Sequence, residues 1–272
     1  MPGRTNATII SGTGGTSSKD PILREYITNS VWTKPADIKY VHILAVGGGG
    51  GGASGTRLAG TGLAYGGAGG LGGYILNEIV PASSFGATVA VVVGSGGRGG
   101  TASTGSSVVA GSDGMNSSFG PYIAKGGWRG FSTNQSYINT YIDASNAPCG
   151  GPGGYAMAAT NETGYDGGGM YITSSVISIG GKGGTASFSN GANGSQGFNY
   201  VKKVFGSTYG IGTGGGGGGG QRNTGTFAGN GGTGGLYGAG GGGGGACNSS
   251  AYFISGTGGN GANGVVFVVE IY

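Results

Sequence analysis

Two glycines followed by one other residue, repeated with a period of three, is the feature that most limits how this chain can fold. Residues 66–74 read GGA GGL GGY, 96–101 GGR GGT, 150–155 GGP GGY, 180–185 GGK GGT and 231–236 GGT GGL, and 258–264 read GGN GAN G. A side-chain period of two marks a strand, and 3.6 marks an α-helix. Three residues per turn belongs to the polyproline II geometry, an extended left-handed helix that rises about 3.1 Å per residue without internal hydrogen bonds. Its N–H and C=O groups all point outward, and those that become buried need partners on other segments. Glycine on two of three faces lets neighbouring segments approach closely enough to supply those partners, while the third face carries a side chain. The expectation is a set of rods packed side by side, a core made of backbone.

Such a core has to offset a large entropy. Glycine fills 75 of 272 positions, and each one in place of an average residue costs the folded state about 0.5 to 1 kcal/mol. Dense backbone hydrogen bonding, or assembly with partner chains, must compensate. Charged residues are only 8% of the chain, with a net charge of +4. Ordinary domains carry about 25%, which argues against a conventional catalytic domain. Fifteen Tyr, nine Phe and two Trp argue against a disordered segment. Seven prolines and a broken period exclude collagen. No apolar run approaches the roughly 20 residues of a spanning helix, and the first fifteen residues lack the apolar core of a signal peptide. A soluble chain made in a cytoplasm, and not exported by the general route, is expected.

Strands occupy other parts of the chain. Ile38–Val46 alternates, with Val41, Ile43 and Ala45 pointing one way and Tyr40, His42, Leu44 and Val46 the other. Tyr74–Val80 and Ala87–Val93 read as a hairpin joined by PASSFG, and Val265–Tyr272 is a continuous apolar strand. Strands at both ends suggest a closed antiparallel sheet whose first and last members pair. Residues 30–37 give a lead-in strand and a turn. Pro21 followed by ILREYI reads as a two-turn helix capped by Asp20, too short to stand alone. The fold class is therefore all-β with polyglycine II-like helices, an antiparallel sheet plus a glycine-rich bundle, with almost no α-helix. The uninterrupted runs Gly47–Gly52, Gly214–Gly220 and Gly240–Gly245 read either as rods crowded on all three faces or as loops.

Chemistry-bearing motifs are sparse. His42, the sole histidine, sits inside an alternating strand and reads as a packed or partly exposed strand residue. One histidine and two distant cysteines fall short of a zinc site. Asp113, Asp143, Glu162 and Asp166 form no paired motif. GSGGRG at Gly94–Gly99 satisfies G-x-G-x-x-G, but the helix that a dinucleotide fingerprint requires does not follow. Lys202–Lys203 and the lone Arg98-Gly99-Gly100 are too thin for a nucleic-acid groove. Cys149 and Cys247 lie in glycine-rich connections and are expected as thiols in a reducing cytoplasm. No catalytic residue, metal site or cofactor is expected, and no nucleic-acid partner.

The stretch SVWTKPADIKYVHILAVGGGGGGASG resembles the opening of glycine-rich domains in bacteriophage tail-fibre and host-recognition proteins. Trp32, Thr33, Lys34 and Pro35 match the aromatic–Thr–x–Pro lead-in, Val41–Val46 the strand, and Gly47–Gly52 the run. GSGGRGG ending at Gly100, Ser117–Gly120, Ala124–Gly127 and the closing GANGVVFVVEIY fit as well, so the likeness covers residues 30–272. It implies an adhesin whose polyglycine bundle carries recognition loops, carried on a virion assembled in the host cytoplasm. The implied partners are other virion or tail-fibre proteins and a bacterial surface glycan or outer-membrane protein. The protein would be a homotrimer, or a monomer seated on a trimeric fibre. The competing reading is a purely structural virion protein, a fibre shaft or capsid decoration.

Two surfaces follow from this reading. Residues 1–30 differ in composition from the glycine-rich body at 31–272 and are the expected attachment segment, with Ile22, Leu23, Tyr26 and Ile27 as its contacts. Receptor contact is expected in the connections between glycine segments, chiefly residues 115–171, because loops on rigid scaffolds carry recognition and aromatic and Arg side chains dominate binding hot spots. The candidates are Tyr122, Trp128, Arg129, Phe131, Tyr137, Tyr141, Tyr155 and Tyr165. Mild attraction to anionic surfaces is expected from the net positive charge.

Overall fold

The structure is a computed structural model that describes residues 5–9, 19–58, 63–131, 170–172, 175–178, 181–185, 192–197, 199–204, 207–212, 215, 218–222, 227–248 and 254–272. In chain order the strands are β1 (Thr5–Ile9), β2 (Ile22–Tyr26), β3 (Ser30–Thr33), β4 (Tyr40–Val46), β5 (Arg57–Leu58), β6 (Ile75–Pro81), β7 (Thr88–Val92) and β8 (Ser117–Phe119). Then follow β9 (Tyr122–Ala124), β10 (Met170–Ile172), β11 (Ser175–Ser178), β12 (Asn199–Val204), β13 (Ser207–Gly212), β14 (Gln221–Arg222), β15 (Cys247–Asn248) and β16 (Val265–Ile271). The one helical element among the described residues is a 3₁₀ turn at Ala82–Ser84.

Two antiparallel sheets pack face to face. One has the order β1-β2-β16-β4-β6, the other β3-β7-β8-β9. Val41, Ile43, Ala45, Val266 and Val268 from the first sheet meet Trp32, Val89, Val91, Phe119 and Ala124 from the second. Trp32, Phe85 and Phe119 interlock edge-to-face. The opposite face of β16 is buried as well, through Val265, Phe267 and Val269 with Leu23 and Val46. This is why residues 265–269 read as an unbroken apolar run instead of alternating. The last strand pairs with β4, as expected from the two ends of the chain, with Val268 opposite Ile43.

Three expectations are corrected. ILREYI is strand β2, not a helix: it lies between β1 and β16 and pairs antiparallel with both. A two-turn helix gains little on its own, whereas a strand here satisfies one whole edge of β16. Residues 74–80 and 87–93 do not form a hairpin, because β6 pairs with β4 and β7 pairs with β3 and β8. Their connection crosses between the sheets, held by Lys34 Nζ donating to the Phe85 carbonyl at 2.8 Å and by the Phe85 ring in the core. The main sheet is also open, not closed; stacking against the second sheet covers its face.

Each of six strands continues without a break into a glycine rod. Residues 47–57 follow β4, 94–101 follow β7 and 125–131 follow β9, while 65–74 lead into β6, 109–116 into β8 and 256–264 into β16. The backbone bonding repeats every three residues. Gly47, Gly50, Ala53 and Thr56 donate in turn to Tyr74, Leu71, Ala68 and Tyr65; Gly48, Gly51 and Ser54 to Met115, Ser112 and Val109; Gly49, Gly52 and Gly55 to Ala262, Gly259 and Gly256. These bonds measure 2.8–3.0 Å. Three antiparallel neighbours therefore receive N–H groups from residues 47–57. The carbonyls of the same rod accept from three parallel neighbours, as in Gly127 to Gly48, Gly97 to Gly49 and Gly241 to Gly50.

The six neighbours also bond to one another in a closed ring. Around it run 65–74, 125–131, 109–116, 94–101, 256–264 and 238–246. The joining bonds are Leu71 to Trp128, Gly111 to Gly130, Ser112 to Arg98, Gly258 to Gly100, Gly259 to Gly242 and Gly70 to Gly241. Rod 47–57 is thus the centre of a hexagon. The runs Gly47–Gly52 and Gly240–Gly245 are rods, not loops, and are buried throughout. A rod with neighbours in all directions has no face left for a side chain, so its glycines are consecutive; GGx belongs to a rod with one open face. In 94–101 the exposed residues are Ser95, Arg98 and Thr101, three apart.

An outer rod lacks partners on its open side, and side-chain amides or carboxylates from the next rod stand in for the missing carbonyls. Asn263 and Asn260 Oδ1 accept from the N–H groups of Gly96 and Gly99, and Asn116 and Asp113 Oδ1 accept from those of Gly126 and Arg129, at 2.8–2.9 Å. Both pairs are spaced by three, matching the rods. Replacing Asn260 with Ala should lower stability by about 1 kcal/mol, read as a shifted denaturant midpoint. Asn260→Asp should behave nearly as the native chain, since Asp113 fills the same role.

Candidate surface-recognition site

Strand β9 and the turn at Gly120 (φ 55°) before it launch the rod 125–131 outward from the second sheet. Its sequence, K-G-G-W-R-G-F, carries Lys125, Trp128 and Phe131 on the open face, one turn apart. Gly127 and Gly130 face the rod 65–74, where an added Cβ would overlap the carbonyl oxygens of Leu71 and Ala68. The side chains that remain are driven to the outside. Trp128 and Phe131 are each 64% exposed, the largest exposure of any aromatic side chain described.

The neighbouring rod sets what lies beside them. Leu71 N–H donates to the Trp128 carbonyl and Tyr74 N–H to that of Lys125, both at 2.8 Å. Leu71 is therefore level with Trp128 and Tyr74 with Lys125, and both keep part of their side chains exposed. On the other flank Arg129 is exposed, with its backbone fixed to Asp113. The arrangement is a track of Tyr74, Leu71, Trp128 and Phe131 bordered by two cations. Its backbone is fastened on both sides by rods, so displaying these rings costs little further ordering.

Of the residues expected at the receptor surface, the structure groups Trp128, Arg129 and Phe131. Tyr122 is not with them: it is half-buried in β9 with its ring edge-on to Phe85 at 5.9 Å, at the margin of the core. Tyr137, Tyr141, Tyr155 and Tyr165 lie outside the described residues, as does Cys149. Lys125, Leu71 and Tyr74 were missed, although K-x-x-W-x-x-F and GGL GGY carry the same period of three. In the expected attachment segment, Leu23 and Tyr26 are buried in the sheet, Ile22 is half-buried and Ile27 is exposed. Burial raises the Tyr26 hydroxyl to about 12. These residues belong to the folded body, so any attachment contact there falls to what β2 leaves uncovered.

Elsewhere, His42 Nε2 lies 2.7 Å from Asn77 Oδ1 on the adjacent strand, a half-buried strand residue within the expected range. The Cys247 thiol is buried in β15 and pushed up to about 11 by that burial, an unreactive setting. Among the described residues no three His, Cys, Asp or Glu side chains are placed to hold a metal ion, and no helix is long and apolar enough to cross a membrane.

A family model for a glycine-rich domain matches residues 25–269. The chain belongs to that glycine-rich domain family. The matched span begins inside β2 and ends inside β16, so it takes in the second sheet, the rods and β4, β6 and most of β16 from the first sheet, but not β1. No curated protein matches the chain.

Proposed function

We propose that this glycine-rich domain protein is a bacteriophage tail-fibre or tail-tip adhesin that binds the surface of a host cell without degrading it. The observation carrying this reading is the pair Trp128 and Phe131, each 64% exposed on a backbone held by rods on both sides. Exposed aromatics on a pre-ordered frame are what binding hot spots require, and nothing in the packing of the bundle needs them. In this reading the protein rides on the virion, seated on other tail-fibre proteins as a trimer or as a single chain.

A purely structural virion role is the second reading, favoured by a different surface. The outward face of the second sheet carries the exposed apolar side chains Val31, Val92 and Ile123, 60%, 41% and 52% exposed, with Ser118 between the last two, a face a protein partner could cover.

Host adsorption by Trp128→Ala and Phe131→Ala variants separates the two. A hot-spot aromatic is worth about 2 kcal/mol or more, so each variant should adsorb roughly 30-fold more weakly while melting as the native protein does. Unchanged adsorption by both would leave the structural reading. Sugar released from host envelopes would make the protein an enzyme.

A further inference from the structure

We infer that the track along rod 125–131 binds a linear acidic polysaccharide lying parallel to the rod, with sugar faces stacked on Trp128 and Phe131 and acid groups held by Lys125 and Arg129. This deepens the adhesin reading and rests on it only for the biological setting; the binding chemistry stands on the geometry.

Three features point to this ligand. The first is the repeat. Lys125, Trp128 and Phe131 recur one rod turn apart, about 9 Å at 3.1 Å per residue. A polymer whose own units recur can meet such a series at several points, whereas a single compact ligand meets one. The second is shape. The rods leave a track on which Leu71 and Tyr74 lie level with Trp128 and Lys125, so a ligand is met by ring faces and aliphatic surface. The C–H faces of pyranose rings suit the electron-rich faces of Trp and Phe.

The third feature is charge. From residue 94 to 131, covering three adjoining rods of the outer ring, the cations are Arg98, Lys125 and Arg129 and the sole acid is Asp113. One Asp113 oxygen already accepts the Arg129 N–H. Lys125 lies one turn before Trp128 and Arg129 on its flank, so carboxylates or sulfates on a chain stacked there meet one cation ahead of the ring and another beside it. A guanidinium can take such an oxyanion in a two-point contact. A neutral glycan would leave both cations without a role.

Arg98 provides the internal control. It lies level with Ser112, two rods from Trp128 around the ring, and is also exposed to solvent. Attraction that came only from net charge would fall as much on reversing Arg98 as on reversing either cation of the track.

The test is calorimetric or surface-based binding of the full chain to polygalacturonate and heparin, with dextran as the neutral polymer. Both acidic polymers should bind and dextran should not. The double variant Lys125→Glu/Arg129→Glu should lose at least tenfold in affinity, Trp128→Ala at least tenfold, and Arg98→Glu less than threefold. Near-ultraviolet circular dichroism checks that each variant retains the native fold. Equal binding of dextran, equal losses at Arg98 and at the track, or no binding of either acidic polymer would overturn the inference. Host adsorption is scored separately. Trp128-dependent adsorption without polymer binding would keep the adhesin reading and point to a protein receptor. Polymer binding without an adsorption defect would keep the ligand class and remove the adhesin reading.

Discussion

Gly50→Ala should prevent the bundle from closing, while Gly105→Ala should leave the melting temperature unchanged or slightly higher. A Cβ on Gly50 would sit inside the Trp128 carbonyl, against its oxygen and carbon and the Arg129 nitrogen. These are backbone atoms, so no rotamer change relieves the overlap. The rod could move aside only by breaking into the ring of six, and each neighbour in that ring is bonded to the next. Over-packing an ordinary core costs about 1–3 kcal/mol because side chains and backbone give way; here the loss should exceed about 4 kcal/mol, in the exceptional class. The opposing gain, the lower chain entropy of alanine in the unfolded state, is at most about 1 kcal/mol. At Gly105 nothing lies within 4 Å of the added carbon, so only that gain operates. Thermal melts of the two variants in parallel would check the contrast, and a native-like melt for Gly50→Ala would contradict the hexagonal arrangement.

The second large effect is expected from Glu270→Ala, at about 3–5 kcal/mol, the usual consequence of removing one partner from a buried ion pair. Glu270 is fully buried between the two sheets. Its Oε1 accepts from Arg24 Nε and from Trp32 Nε1, the latter at 2.8 Å, and its Oε2 accepts from Arg24 Nη2 at 3.1 Å and from the Tyr272 hydroxyl at 3.2 Å. The hydrogen bond to Glu270 holds the Arg24 guanidinium above its ordinary range, against the opposing effect of burial. One carboxylate thus joins β2, β16 and the Trp32 indole of the second sheet. Trp32→Phe removes one donor and keeps the ring in the aromatic cluster, so it should cost less, about 1–3 kcal/mol. Denaturant titrations would show both as lower midpoints with the slope preserved. Equal effects of the two substitutions would mean that the indole packing, not the carboxylate, joins the sheets.

Much of this architecture was legible because glycine spacing reports which faces of a rod are occupied. GGR GGT announced a rod with one open side, and the strand Val41–Val46 announced its own two faces. The ring was not legible. Which rods adjoin depends on the register of Gly50 against Leu71 and of Gly52 against Gly259, and glycines carry no side chains to specify a partner. The amide devices at Asn260 and Asn263 were visible as a spacing of three but had no meaning without the empty side of rod 94–101. ILREYI misled because its local composition permits a helix, while its strand partners are β1 and, some 240 residues later, β16. In the candidate site, the aromatic and Arg content singled out Trp128, Arg129 and Phe131. Tyr122 passed the same compositional test and turned out to serve the core, a difference set by packing on Phe85 that spacing does not express.

The closed ring also governs when the protein can fold during synthesis. Rod 47–57 emerges early, yet two of its six sides are supplied by residues 238–246 and 256–264, and β4 beside it waits for β16. Contacts this distant in sequence make for slow folding. Translation delivers roughly 5–20 residues per second, so for ten seconds or more the glycine run at 47–52 exists without the protein partners of two of its sides. Its neighbours in that interval are water, other nascent chains or a chaperone. The yield of folded protein should therefore depend on how promptly residues 238–271 follow the rest of the chain.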